Sequence, residues 1–600
     1  MYPSERNLSS PTTLALPRLR SCPTTIAVTL LLLIHAGLLA YSALIHSPTF
    51  NEIGHLPAGI SHWQFNRFEL YRVNPPLVRM IAAVPVLAMN PNTDWSSYGT
   101  HSTQQSQLNV AIDFVKANGQ RSFLLYSVGR IACIPFSCLG MAICFIWAND
   151  LYGRKSGLLA GGLWCFSPFI TGHGSLIMPD VPAASFGVLS CYLFWCWNRR
   201  PSWSCAFPCG IAVGLALLSK TTLLILLPLF IVIWALTINR HIVRPRYSLR
   251  MQLAMLAAML AMPFAVVNAG YMFQGTFKPL GTYHFSSRML AGDRVKQIDL
   301  SATKNRFAGT VLGSIPVPLP ADFVLGIDQQ KSDFDMGYPC YLRGQWHHGG
   351  WWYFYLYGLA IKTPIGTLIL LLLPFIFGRL SVHSQTSFND AIHLLLPPFT
   401  IMLLVSSQTS LTVHLRYILP AIPFVFIWAS RVARYFGTRS RFVSAVVAAN
   451  IAWSMFSSLW SYPHSISYFN EFIGGPKNGH YHLLDSNSAW GQDILLLKRW
   501  VDQHPDVRPL HIAAFGWIDP ATAGIEYILP PVGHTLEEAL PTDPNLRIPS
   551  VLKSGPQPGW YVIDVNHLHG CPYWTSDGNG GWISPSLVGG GYQYFSRFDP

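Results

Sequence analysis

Long apolar runs recur along most of this chain, and they constrain its fold more than any other feature. A helix crossing the hydrocarbon core of a bilayer needs about 20 apolar residues. Runs near that length lie at Thr24–Leu44, Ser122–Trp147, Gly157–Thr171, Val181–Trp197, Cys205–Leu218 and Thr222–Ile238. Others follow at Leu253–Ala269, Trp352–Phe377, Ile392–Ser406, Arg416–Ser430 and Val443–Trp460. Each reads as a membrane helix, about eleven in all. Pro135, Pro168 and Pro263 fall inside runs, and packed membrane helices tolerate them. Half of the 600 residues are hydrophobic, 11% are charged and mean hydropathy is +0.31. Soluble domains carry about 25% charged residues. The expected fold class is therefore an α-helical polytopic membrane protein.

The net charge of +13 raises the question of a nucleic-acid partner, and its distribution answers against one. Much of the basic charge sits in short clusters between apolar runs, whereas Asp and Glu concentrate in the longer connections. With the N-terminus in the cytoplasm, Arg154/Lys155, Arg199/Arg200, Arg240–Arg250, Arg379 and Arg431–Arg441 all fall in cytoplasmic connections, as the positive-inside rule requires. Arg18 and Arg20 precede a first run too long for a signal-peptide core, so it reads as an uncleaved span. The organisation that follows is a cytoplasmic N-terminus (1–23) and a transmembrane module (24–460) with extracytoplasmic loops at 46–121 and 271–350. A C-terminal portion (461–600) lies outside. Leu77–Met89 in the first loop reads as an interfacial helix. The C-terminal portion has strand-like runs at Leu510–Phe515 and Gly559–Val565 between turn residues, a small mixed α/β domain. Its glycine clusters at 577–581 and 589–591 read as turns. The end at Arg597–Pro600 reads as lacking a final strand.

Most of the eleven cysteines lie in apolar runs as small buried side chains. Cys340 and Cys571 fall in polar segments and are the candidate pair for a disulfide if those segments face an oxidising compartment. No metal-type spacing is present, the histidines at 347, 348, 480 and 482 included. No P-loop or dinucleotide fingerprint occurs. No cofactor is expected, and a divalent-metal requirement is left open.

Ionisable residues gather at the outer ends of the runs. Asn51-Glu52-x-x-His55 follows the first run, and Arg72 and Arg79 lie in the same loop. His173 and Asp180 lie between the third and fourth runs, Lys220 between the fifth and sixth, Lys362 inside the eighth, and His414 and Arg416 at the start of the tenth. Carboxylates so close to lipid are costly and usually functional. Burial raises a carboxylate's pKa and a neighbouring cation lowers it, which is how a general base is tuned. Lys and Arg at a membrane surface suit a phosphate group. Bland readings stand beside these. Asp180 begins a run after Pro179 and could serve as a helix cap. Arg416 could be an interfacial anchor, and Lys220 reads more readily as a snorkelling lysine. His173 and His414 could be hydrogen-bonded packing residues.

Taken in order, these motifs resemble the GT-C glycosyltransferases, which include the protein O-mannosyltransferases and the lipid A aminoarabinose transferase. The resemblance rests on Asn51-Glu52-x-x-His55, Arg72-Val73-Asn74-Pro75-Pro76-Leu77-Val78-Arg79 and His173-x6-Asp180. Gly214–Lys220, Lys362-Thr363-Pro364 and Arg416-Tyr417-Ile418-Leu419-Pro420 extend it. Tyr468–Glu471 and Asp485–Asp493 resemble a bacterial branch, which implies the bacterial inner membrane. The resemblance implies inverting transfer of a sugar from a polyprenyl-phosphate donor to an acceptor hydroxyl of a protein, lipid or glycan. A carboxylate, Glu52 or Asp180, is then the base. Asn51, His55, Arg72, Arg79, His173, Lys362 and Arg416 hold donor or substrate. One departure stands out: the first acidic position of the family's pair is Asn51 here, so the base role passes to Glu52 first. The alternatives are a transporter or flippase of a lipid-linked substrate, and a non-catalytic GT-C-like binding protein.

Overall fold

The computed structural model describes residues 22–99, 106–238, 248–292, 304–377, 387–436, 441–530, 558–571, 575–576 and 582–583. Each of the eleven apolar runs is helical. The first is α1 (Cys22–Ile45), and the loop after it folds into α2 (Glu52–Phe65), α3 (Leu77–Leu87) and α4 (Ser106–Asn118). These pack on one another and, through α3 and α4, on the long α5 (Arg121–Tyr152). The bundle continues with α6 (Arg154–Cys165), α7 (Pro168–His173), α8 (Asp180–Arg199), α9 (Trp203–Ser219), α10 (Leu226–Thr237) and α11 (Leu249–Gly270). The second long loop carries α12 (Ala321–Met336) and a hairpin of β1 (Pro339–Leu342) and β2 (Gln345–His348). Then come α13 (Phe354–Lys362), α14 (Ile365–Phe377), α15 (Phe388–Ser407), α16 (Ile422–Ser430) and α17 (Arg441–Ser461).

Among the described residues, six helices are long and apolar enough to cross a membrane, and a seventh if the bent pair α13–α14 counts as one span. The remaining runs form helices that are shorter or less apolar, so the count of eleven is a sequence expectation only. Two runs expected as continuous helices are broken, and proline explains both. Pro364 has no N–H to donate and pushes Thr363 to an extended conformation, with φ −98° and ψ 134°. The helix axis turns by 108° there. Pro168 likewise restarts the chain as α7 after α6 has ended at Cys165. The close packing of α9 against α11 depends on small residues. A Cβ added at Gly210 would lie 2.8 Å from the Met259 carbonyl oxygen, and one at Gly214 would lie 2.5 Å from the Val266 Cβ.

The C-terminal portion contributes α18 (Ile494–Gln503) and a parallel pair, β3 (Leu510–Ala513) with β4 (Trp560–Ile563). These strands lie where the alternating runs place them. The glycine clusters and the chain end fall outside the described residues. Cys340 and Cys571 are both buried, and no disulfide joins them, which corrects that expectation.

One buried ion pair joins the first helices to the rest. Arg130 sits nine residues into α5, in the middle of an apolar sequence. It grips Glu52 with two contacts, Nε to Oε1 at 2.8 Å and Nη2 to Oε2 at 2.6 Å. Its remaining protons go to the carbonyls of Ala43, His46 and Ser47 at the end of α1. Glu52 also accepts from the backbone N–H groups of Thr49 (3.0 Å) and Ile177 (2.9 Å). Both side chains are essentially inaccessible. Removing one partner from such a pair leaves a bare buried charge and costs about 3–5 kcal/mol. Arg130→Met should therefore lower the unfolding midpoint in detergent, and adding Glu52→Gln should recover part of the loss. A single variant that unfolds like the parent would show that the pair is not a structural tie.

Candidate functional site

Asp180 opens α8, directly after Pro179, and has no exposed surface. It does not cap its helix. Its Oδ1 takes Lys220 Nζ at 2.5 Å and its Oδ2 takes Arg416 Nη1 at 3.0 Å. Both bland readings of the cations are thereby corrected. Lys220, at the end of α9, points into the protein and lies over the Tyr417 ring (4.4 Å). Arg416 is buried and lies over the indole of Trp490 (4.6 Å). Its Nε has no hydrogen-bond partner among the described residues.

Two more expected residues meet this cluster. Lys362, at the break between α13 and α14, donates to the carbonyls of Ile466 (2.7 Å) and Asn487. His173 donates through Nδ1 to the Phe169 carbonyl (3.0 Å), while its Nε2 has no partner among the described residues. A small cavity of about 10 Å³ is lined by His173, Lys362, Arg416, Ser486 and Asn487. Residues 485–492 close this end of the bundle and anchor to the first loop, with Phe50 N–H donating to the Trp490 carbonyl (2.8 Å) and Ser47 N–H to that of Gln492 (3.0 Å). Asp485 accepts from His414 (3.2 Å). Burial disfavours the Asp485 carboxylate, but His414, the Ser486 N–H and Arg416 outweigh it and hold its pKa below the usual range.

Across from the cations lies the first loop. Tyr71, in a left-handed conformation with φ 63°, packs against His55 with the rings tilted by 34° (4.4 Å between centroids). The Asn51 side chain bonds its hydroxyl. Burial holds the His55 imidazole well below its ordinary pKa, and the charges of Arg79 and Arg416 add to the effect. His55 is therefore neutral at physiological pH. It also feels Asp180.

The other expected residues stand apart. Glu52 is buried with Arg130, and both its oxygens are saturated. The expectation that it is the base meets a carboxylate that can take a proton only by giving up an existing contact. Arg72 is occupied by Asp322 of α12 at 2.6 Å. Arg79 is buried and donates to the carbonyls of Tyr71 (2.9 Å) and Asn74, holding that turn in place. Sequence reasoning missed Arg130, whose signal was plain: an arginine inside an apolar run needs a partner. It also missed Tyr71 and Tyr417, which a sequence cannot distinguish from packing aromatics.

A larger, apolar groove of about 600 Å³ begins beside this cluster. It runs between α6, α14, α16 and α17, with Lys362 and Thr363 at one end and Lys155 at the other, and Leu159, Phe166 and Met455 along its wall.

The family model for dolichyl-phosphate-mannose-protein mannosyltransferases matches residues 126–267, just under a quarter of the chain. That stretch carries Arg130, His173, Asp180 and Lys220, and it bears out the resemblance to GT-C glycosyltransferases. No curated protein matches in sequence. Among solved structures, ArnT from Cupriavidus metallidurans bound to undecaprenyl phosphate is 14% identical, with a TM-score of 0.41. The match covers 80% of this chain and 73% of that one. The archaeal oligosaccharyltransferase AglB from Archaeoglobus fulgidus, in complex with an inhibitory peptide and a dolichol-phosphate, is 10% identical, with a TM-score of 0.40. That match covers 81% of this chain and 58% of the archaeal one. At these values neither neighbour assigns an activity to the chain.

Asp180→Asn should leave Lys220 and Arg416 as buried, poorly neutralised cations and destabilise the protein by about 3–5 kcal/mol. Lys220→Met added to it should recover part of that loss. Equal unfolding midpoints for parent and Asp180→Asn would contradict the pairing.

Proposed function

We propose that this protein transfers a sugar from a polyprenyl-phosphate donor to an acceptor hydroxyl, on the extracytoplasmic face of a bacterial inner membrane. The observation that carries this reading is a buried cation cluster beside an apolar groove, with Lys362 lining both the groove and the small cavity that it shares with Arg416. Lys220, Arg416 and Lys362 stand against two buried carboxylates, Asp180 and Asp485, an excess of one positive charge that favours an anion. A phosphate on Arg416 and Lys362 would meet the partnerless Arg416 Nε and replace the carbonyl contacts of Lys362 with charge-assisted ones. A prenyl chain would then run along the groove wall. The family model matching residues 126–267 describes a donor of this chemical class.

In the reaction, the acceptor oxygen bonds to the anomeric carbon from the face opposite the phosphate. The sugar–phosphate C–O bond breaks, and its electron pair leaves with the phosphate. Cations already in place offset that charge without reorganising, the usual source of such catalysis. Asp180 serves here by fixing Lys220 and Arg416, because both its oxygens are engaged. Glu52 serves by holding the first loop against α5. Asn51 and His55 face the sugar and the acceptor.

Asn51 favours a second reading, binding of a lipid-linked sugar without transfer. The two separate cleanly. Purified protein should bind undecaprenyl phosphate, and Arg416→Ala or Lys362→Ala should weaken binding about tenfold or more, roughly 1.4 kcal/mol each. Transfer from a polyprenyl-phosphate sugar in washed membranes would establish the enzyme. Binding with no transfer would favour the second reading, and no binding would remove both.

A further inference from the structure

Transfer needs a group to receive the acceptor's proton, and the two expected carboxylates are both engaged by cations. A third carboxylate lies on a helix of the second long loop that packs against the first loop. Helix α12 lies against the first loop at the residues next to Tyr71. Gly326 permits the contact, since a Cβ there would sit 2.3 Å from the Arg72 carbonyl oxygen. Asp322, one turn earlier on the same face, clamps the Arg72 side chain. Asp333 lies about two turns further along that face, at 3.6 residues per turn. Its charge is felt by Tyr71, by Tyr417 and by Tyr338. Tyr71 and Tyr417 are the rings that border Asn51, Lys220 and Arg416.

We propose that Asp333 accepts the proton of the acceptor hydroxyl, the part that an amide at position 51 cannot play. The proposal rests on the transferase reading above.

The other acids of α12 are committed. Asp322 holds Arg72, Asp328 accepts from the N–H groups of Ser286 and Ser287, and Asp335 pairs with Lys331 and accepts from Arg288 N–H. Asp333 forms no ion pair among the described residues, and Gln329 is its hydrogen-bonding neighbour. It is only partly buried, so a hydroxyl can reach it. Burial pushes its carboxyl up to about 7, opposed only by Gln329, a value suited to a base working near neutral pH. In the step itself, the acceptor's O–H electrons become the new bond to the anomeric carbon while the proton moves to an Asp333 oxygen. The phosphate leaves with the electrons of the broken bond, so no other reactant is needed.

The test uses the full chain in lipid nanodiscs with undecaprenyl-phosphate mannose, glucose, galactose and aminoarabinose as donors. Host envelope extract supplies acceptors, and formation of undecaprenyl phosphate is followed. Asp333→Asn should lower kcat about 100-fold or more, the usual worth of a general base. Its Kd for undecaprenyl phosphate should stay within about threefold of the parent's. Asp333→Glu should keep most of the activity, and Asn51→Asp added to Asp333→Asn should restore at least about tenfold, because either position then offers a carboxylate. Parental turnover by Asp333→Asn overturns the assignment and leaves the transferase reading standing. So does loss of both binding and turnover that Asp333→Glu fails to restore, which would mark a purely structural residue. If the parent converts none of the donors, the transferase reading falls and this assignment with it.

Discussion

Asp180 is a carboxylate buried at the start of an apolar helix, and the rest of this site is arranged around neutralising it. Lys220 comes from 40 residues further along the chain and Arg416 from 236. Because an unpaired charge there would be prohibitively expensive, the ends of α8 and α9 and the approach to α16 must converge. Trp490 and Tyr417 then cover the cations. Glu52 and Arg130 solve the same problem a short distance away, and the Ile177 N–H ties the two solutions together just before Asp180. Two buried carboxylates thus position the elements, and that duty leaves neither with an oxygen to spare.

This division of labour has a consequence for function. Cations held by a buried acid are rigid and ready to meet an incoming phosphate, whereas the acid that holds them is a poor base. A proton acceptor has to be desolvated yet unpaired, and such a group is more easily supplied by a loop helix at the rim than by the bundle. Helix α12 is built for that approach. Glycine brings it close, an ion pair fixes its register, and one acid is left over.

Much of this was legible in the sequence. The apolar runs marked the helices, and the alternating tail runs marked β3 and β4. His173, Asp180, Lys362 and Arg416 stood out as candidates because charged or polar groups are conspicuous against lipid-facing sequence, and the structure buries all four at one end of the bundle. Partnership was not visible. Nothing in the order of residues pairs Lys220 with Asp180, or separates Arg72, spent on Asp322, from Arg416, which is in the cluster. Glu52 looked catalytic because its local motif was strong, and the arginine that occupies it lies 78 residues away. The helix breaks at Pro168 and Pro364 follow from the backbone chemistry of proline. Their effect, opening a groove beside Lys362, depends on how α6, α14 and α17 pack.

The central claim is that the buried cations and the apolar groove form one site for a lipid-linked phosphate. The most direct measurement is a cryo-electron microscopy structure of the full chain in a nanodisc with undecaprenyl phosphate. Phosphate density between Arg416 and Lys362, with the prenyl chain along the groove past Phe166 and Met455, would bear the claim out. A lipid phosphate bound elsewhere, with the Lys362 and Arg416 contacts unchanged, would contradict it.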